Sequence, residues 1–171
     1  MSYNVKNDKN TGGYDPRVIA NYLLDWGERQ NIDITQMKLL KLFYFCYGYY
    51  LLEKSRPLTK NDFEAWEYGP VSRSLRKEFG QFKARKITSR AFITDIFTGE
   101  SRLADPTMVT SNDRTFLNNI LEIYGKYSGP HLSNLTHEKG SPWDIIWNGR
   151  EKRARIGLRI TDTDILNHFN H

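Results

Sequence analysis

The chain has 171 residues, with 25 Lys and Arg against 20 Asp and Glu, a formal net charge of +5 and one cysteine, Cys46. A chain of this length buries roughly two thirds of its unfolded surface and can fold as one domain without staples. The lone Cys46 excludes an internal disulfide framework and a zinc site built from several thiolates, so it is expected as a small core hydrophobe in a protein of the reducing cytosol.

The opening MSYNVKNDKNTGG is polar and lacks the apolar run of a secretory signal, and no segment reaches the roughly 18 apolar residues of a membrane span. A cytoplasmic protein without a membrane partner is expected. Residues 1–14 read as a flexible arm and residues 15–171 as a single domain. Asp15 before Pro16 is an N-cap followed by proline at the first helical position. Val18, Ile19, Tyr22, Leu23 and Trp26 then recur at helical spacing up to Gly27. Thr35 caps a second helix, with Ile34 and Leu39 spaced as a hydrophobic staple.

That second helix, from about Gln36 to Lys54, is apolar nearly all round: Met37, Leu40, Tyr44, Tyr47 and Leu51 form one stripe, and Leu42, Phe45, Tyr49 and Leu52 another. A helix without a polar face is buried or shared with a partner, which leaves a homodimer open. The aromatics Phe43, Tyr44, Phe45, Tyr47, Tyr49 and Tyr50 read better as core than as a ligand box. Because buried tyrosine hydroxyls need partners, some of these rings are expected at the rim.

Phe63 to Trp66 suits a brief strand running into a turn at Tyr68-Gly69-Pro70. Pro70 is expected to start a helix with Val71, Leu75 and Phe79 on one face and Arg73, Arg76 and Lys77 on the other. Ile87 to Ile93 is expected as a second strand pairing with Phe63 to Trp66, and residues 94–112 as a loop. Helical period returns from Asp113 to Tyr127 and stops at Ser128-Gly129-Pro130. A short helix through Leu132 and Leu135 follows, ending at His137. Ser141 with Asp144, and Thr161 with Asp164, are spaced as capping boxes for two more helices. Five basic residues (Arg150, Lys152, Arg153, Arg155 and Arg159) against Glu151 hold most of the net charge. They read as a solvated loop or as a phosphate-binding segment.

The sequence contains no phosphate-cradling glycine loop, no His-Glu-x-x-His and no nucleophile elbow. The nearest approach to a catalytic set is His131, Ser133, Thr136, His137, Glu138 and Asp144. A hydrolase could use such groups only with a base in reach of a hydroxyl. The simpler reading places His137 at a helix end, where an imidazole meets exposed carbonyls. Two histidines six apart without a thiolate make no metal site, so neither a metal, a cofactor nor a catalytic set is expected.

Three segments carry a family resemblance. MKLLKLFYFCYGYYLLEKSRPL, FEAWEYGPV and LSNLTHEKGSPW, in that order, resemble the Panacea antitoxin domain, the SocA-like or phage-associated protein family, and the likeness extends over residues 15–170. One departure is Ile160, where the family leads one to expect a proline at the start of the last helix. The resemblance implies a mainly α (α+β) fold, a helical domain around a long buried central helix with a small two- or three-stranded β element. It also implies an antitoxin that binds a cognate protein toxin encoded nearby, sometimes as an adaptor to a protease, and no enzyme.

Within that picture Trp66, Tyr68, Gly69, Pro70, His137, Pro142 and Trp143 are expected as framework residues. A toxin contact is expected at a rim of Tyr47, Tyr50 and Tyr68 with Arg73, Arg76 and Lys77, since interfaces favour Tyr, Trp and Arg at their hot spots. Nucleic acid is a less favoured partner, because the short arm leaves no room for a helix-turn-helix unit. The two competing readings are a nucleic-acid-binding regulator using the basic segment at 150–159 and a small hydrolase around His137.

Overall fold

The structure, a computed structural model, describes residues 13–149 and 155–170, so nearly all of the expected arm and the first half of the basic segment lie outside the described residues. Helix α1 (Pro16–Arg29) starts as its pattern dictates: the Asp15 carboxylate accepts from the Arg17 amide at 2.9 Å, and Pro16 has no amide to satisfy. Helix α2 (Gln36–Lys54) is capped by the Thr35 hydroxyl, which accepts from the Lys38 amide.

Helix α2 is the axis of the molecule. Around it pack α1, α4 (Ser111–Tyr124), α5 (Gly129–Thr136) and α7 (Asp162–Phe169), together with the hairpin described below. The chain itself therefore covers the apolar sides of α2, which explains a helix with no polar face. Leu39, Leu42, Phe43, Cys46, Tyr47 and Tyr50 have no exposed surface. Burial pushes the Cys46 thiol up, so it packs as the expected inert hydrophobe. The Phe63 ring lies edge-on to Tyr44 and Tyr47, with centroids 5.3 and 5.0 Å apart, and Phe45 stacks on Tyr124 at 4.3 Å. Such pairs add about 0.5–1.5 kcal/mol each beyond the area they bury.

Strands β1 (Phe63–Trp66) and β2 (Gly69–Ser72) form an antiparallel hairpin in which Phe63 faces Ser72 and Trp66 faces Gly69. This corrects two expectations. The partner of β1 is the next segment of chain, not Ile87 to Ile93, because a two-residue connection costs far less closure entropy than a loop of some twenty residues. Pro70 belongs to β2, on a strand with no outer neighbour where a missing donor does no harm. Helix α3 (Arg73–Phe79) begins only after Ser72, whose hydroxyl accepts from the Leu75 amide.

The other edge of β1 is paired by residues 158–160. The Ala65 amide donates to the Leu158 carbonyl at 2.8 Å, and the Ile160 amide donates to the Phe63 carbonyl at 3.0 Å. Ile160 is fully buried, and a proline there would have no N–H for that bond. The departure from the family pattern thus supplies a donor to the sheet.

Ile87 donates instead to the Ile34 carbonyl at 2.9 Å. Strand β3 (Phe92–Thr94), at the end of the stretch expected as a strand, pairs with β4 (Ser101–Leu103), inside the stretch expected as a loop, to make a separate hairpin. Asn21 on α1 holds this hairpin's base. Its amide nitrogen donates to the Ala91 and Ala104 carbonyls at 2.9 and 2.8 Å, and its oxygen accepts from the Ala91 amide at 2.8 Å. Helix α4 begins at Ser111 after the Thr110 cap, slightly earlier than its apolar period suggested.

Helix α6 (Pro142–Asn148) has the expected Ser141 cap, but the Asp144 carboxylate turns to the Gly140 amide at 2.8 Å, so the box there is half made. The box of Thr161 and Asp164 before α7 is complete. Among the described residues no helix is long and apolar enough to cross a membrane.

Candidate functional site

The two motifs of the sequence meet in space at the turn between β1 and β2. The reversal is completed at Gly69, whose φ of +101° favours glycine. A Cβ there would collide with the Thr136 hydroxyl and crowd the end of the Lys41 side chain at 3.1 Å. Three side chains from three helices then hold alternate carbonyls through the turn. The Trp143 indole N–H (α6) donates to the Trp66 carbonyl at 2.6 Å. The Ser133 hydroxyl (α5) donates to the Tyr68 carbonyl at 2.8 Å. The Lys41 ammonium (α2) donates to the Pro70 carbonyl at 2.8 Å.

With the backbone held inward, the side chains of the turn point out. Trp66 is 41% exposed and Tyr68 59% exposed, so these two are not the buried framework residues expected, whereas Gly69, Pro70, Pro142 and Trp143 are buried. The alternation of a strand puts the side chain of Trp66 on the face opposite its neighbour Ala65, which is buried. Three depressions meet at the Trp66 indole: one of about 300 Å³ toward Trp147 and Arg155, one of about 570 Å³ toward α2, and a shallow one of about 870 Å³ along α3. The Arg76 guanidinium lies 6.0 Å from the centre of the Trp66 ring. Glu64 accepts from the indole N–H at 3.1 Å and pairs with Arg73 at 3.4 Å, fixing the ring's orientation.

Four of the six residues of the expected rim are therefore brought together. Tyr68, Arg73, Arg76 and Lys77 share this face, with Arg73 and Lys77 exposed and Arg76 half-buried. Tyr47 and Tyr50 do not reach it or any other surface. The Tyr47 hydroxyl donates to Asp162 at 2.7 Å, and the Tyr50 ring packs on Phe116 at 5.5 Å beneath the Arg56 guanidinium. Both lie inside because α4 and the segment before α7 close over α2, although among the described residues the Tyr50 hydroxyl has no hydrogen-bond partner.

In the sequence, Lys41 interrupts the apolar run from Leu39 to Leu52. Just 1% of it is exposed, among the described residues it has no carboxylate partner, and burial lowers its pKa to about 7. The signal available was one lysine inside a helix apolar on every side. Lys83, with φ of +52°, also lines the depression toward α2 and carried no pattern in the sequence.

The residues considered for hydrolysis do not form a nucleophile and base. The His137 imidazole stacks on Trp143 with centroids 3.8 Å apart, its Nε2 has no hydrogen-bond partner among the described residues, and its pKa is lowered by burial and then by Lys41. The Ser133 hydroxyl serves Tyr68, and the Thr136 hydroxyl donates to the Ser133 carbonyl at 2.6 Å. His131 stacks on Tyr127 instead. Asp144 holds the Gly140 amide and the Asn148 side chain. Among the described residues no group of three or more His, Cys, Asp or Glu could hold a metal ion.

Of the basic segment, residues 150–154 lie outside the described residues. Arg155 sits over the Trp147 ring at 4.6 Å, and Arg159 donates to the Asn61 carbonyl at 3.3 Å, so both serve the protein's own contacts.

Comparison with known proteins matches residues 39–144 to the family described as antitoxin SocA-like, Panacea domain. The matched stretch runs from the start of α2 to the start of α6 and includes both motifs around the turn. The antitoxin SocA of Caulobacter vibrioides (strain NA1000 / CB15N) is 35% identical over 155 residues, which is 91% of this chain and 82% of that protein. No solved structure matches.

Proposed function

From the premise that the chain belongs to the SocA-like Panacea antitoxin family, we propose that it neutralises a cognate protein toxin by direct binding, through the face centred on Trp66. It is a binding protein of a toxin–antitoxin pair. The observation that carries the placement is the turn itself: three helices spend buried donors on its carbonyls, and the result is an indole and a phenol held outward beside Arg73, Arg76 and Lys77. Rigid aromatics flanked by arginine are the usual composition of an interface hot spot. Their low loss of conformational entropy on binding favours affinity. Delivery of the bound toxin to a protease is a finer part of the same reading, to be read from the toxin's half-life in cells with and without this chain.

The test is co-expression with the product of the neighbouring open reading frame. The double variant Trp66→Ala, Arg76→Glu should fold, with a thermal midpoint lowered by only a few degrees, since each kcal/mol shifts a domain of this size by about 2–4 °C. It should fail to protect cells. A second apolar surface provides the control. Ile96 and Phe97, 87% and 91% exposed at the tip of the β3–β4 hairpin, should tolerate replacement by serine with protection intact. Protection by the folded Trp66 and Arg76 variant would overturn the placement, and loss of protection in the hairpin variant would move the contact there.

A further inference from the structure

The depression between Trp66 and the start of α2 has a chemistry of its own. Its volume is about 570 Å³, enough for two or three side chains. Its apolar walls are Met37, Leu40, Val71 and Pro130. The charged groups on it are Lys41, Arg76 and Lys83 against the single acid Glu67. The first turn of α2 forms one wall, so the helix dipole adds to the same sign.

Lys41 marks the floor. A lysine with 1% exposure normally has a carboxylate beside it, because an unpaired buried ammonium is costly. Among the described residues its one hydrogen-bond partner is the Pro70 carbonyl, which leaves two of its three donors uncommitted. Building on the antitoxin reading above, we propose that this groove recognises an acidic residue flanked by an aliphatic or aromatic one on the toxin, with the carboxylate supplying the counter-charge that Lys41 lacks. The carboxylate sits between Arg76 and Lys83 above Lys41, and its apolar neighbour packs on Leu40 and Val71. Association with an uncharged or basic segment would leave three cations desolvated and unpaired, so the groove discriminates by repulsion as well as attraction.

The experiment uses the full chain and three acetylated, amidated tripeptides, Leu-Asp-Phe, Leu-Asn-Phe and Leu-Lys-Phe, followed by NMR shifts of the Trp66 indole proton. The aspartyl peptide should bind at least fivefold more tightly than the asparaginyl one, and the lysyl peptide should not bind. Lys41→Met and Lys83→Glu should each erase the preference for aspartate while the protein stays folded. Raising the salt from about 50 to 500 mM should weaken only the aspartyl peptide, as expected for a charge contact near the surface. Equal affinity for the aspartyl and asparaginyl peptides, or a preference that survives in both variants, would overturn the inference.

The two proposals fail separately. If the Trp66 and Arg76 variant loses cellular protection while the peptides show no charge preference, the face stands and the groove chemistry falls. If the aspartyl preference holds but that variant still protects, the groove stands as an anion-binding site and the toxin contacts another surface, which overturns the link drawn here between them.

Discussion

Lys41 shows how one side chain can govern both stability and recognition. Its pKa is about 7 when folded, against 10.5 as the reference for an unfolded chain, and burial is the cause. Between those values the unfolded chain binds a proton that the folded one does not, so stability rises with pH across that window. The charged groups facing the lysine are Arg76 and Lys83 across the groove, Glu67 on the turn and His137 on the side of α5. His137 titrates below the window, because its pKa is lowered from 6.5. The buried phenols of Tyr44, Tyr47, Tyr50 and Tyr124 are pushed up from 10 and oppose the trend only above that pH. From pH 7 to 9.5 the thermal midpoint of the wild-type chain should therefore climb relative to Lys41→Met, by at most about 1.4 kcal/mol per pH unit. Parallel curves for the two proteins would refute this. In the sequence Lys41 was legible as an oddity and illegible as a site, because the Pro70 carbonyl that holds it comes from 29 positions away.

The elements themselves were largely readable where their determinants are local. Asp15-Pro16, Thr35 and Thr161 with Asp164 each cap a helix where the sequence places it, because a cap is decided within four residues. Strand partners were not readable, since β1 chooses between edges brought together by the whole fold. Ile160 is the clearest case: the resemblance marked it as an anomaly, and only the pairing of residues 158–160 with β1 explains it. Ile160→Pro removes one donor and strands the Phe63 carbonyl, so it should cost about 1–3 kcal/mol for the lost bond. That loss comes on top of the packing lost from a fully buried side chain. Ile160→Val should cost only about 0.5–1.5 kcal/mol. Urea denaturation of the two separates them, and equal losses would mean that this edge does not hold β1.

At the scale of the molecule, a toxin that binds only the folded antitoxin must stabilise it. At a concentration about a hundredfold above Kd the gain is about 2.7 kcal/mol, several degrees of thermal midpoint for a chain of this length. The complex with the wild-type chain should show that rise, and the Trp66 and Arg76 variant should melt as if alone. Of the proposed contact face, Tyr68, Arg73, Arg76 and Lys77 were legible in composition and spacing, whereas Trp66 read as framework. Tyr47 and Tyr50 lie inside instead, because periodicity cannot tell a rim tyrosine from a fully buried one. The three carbonyls pinned from α2, α5 and α6 carry one more consequence. The turn works as a coincidence detector for the fold: its three carbonyls are all held only while three distant helices are seated together. On the placement proposed above, a protease that nicks α5 or α6 should release the toxin without reaching Trp66, and no partly active fragment should persist to blunt the switch.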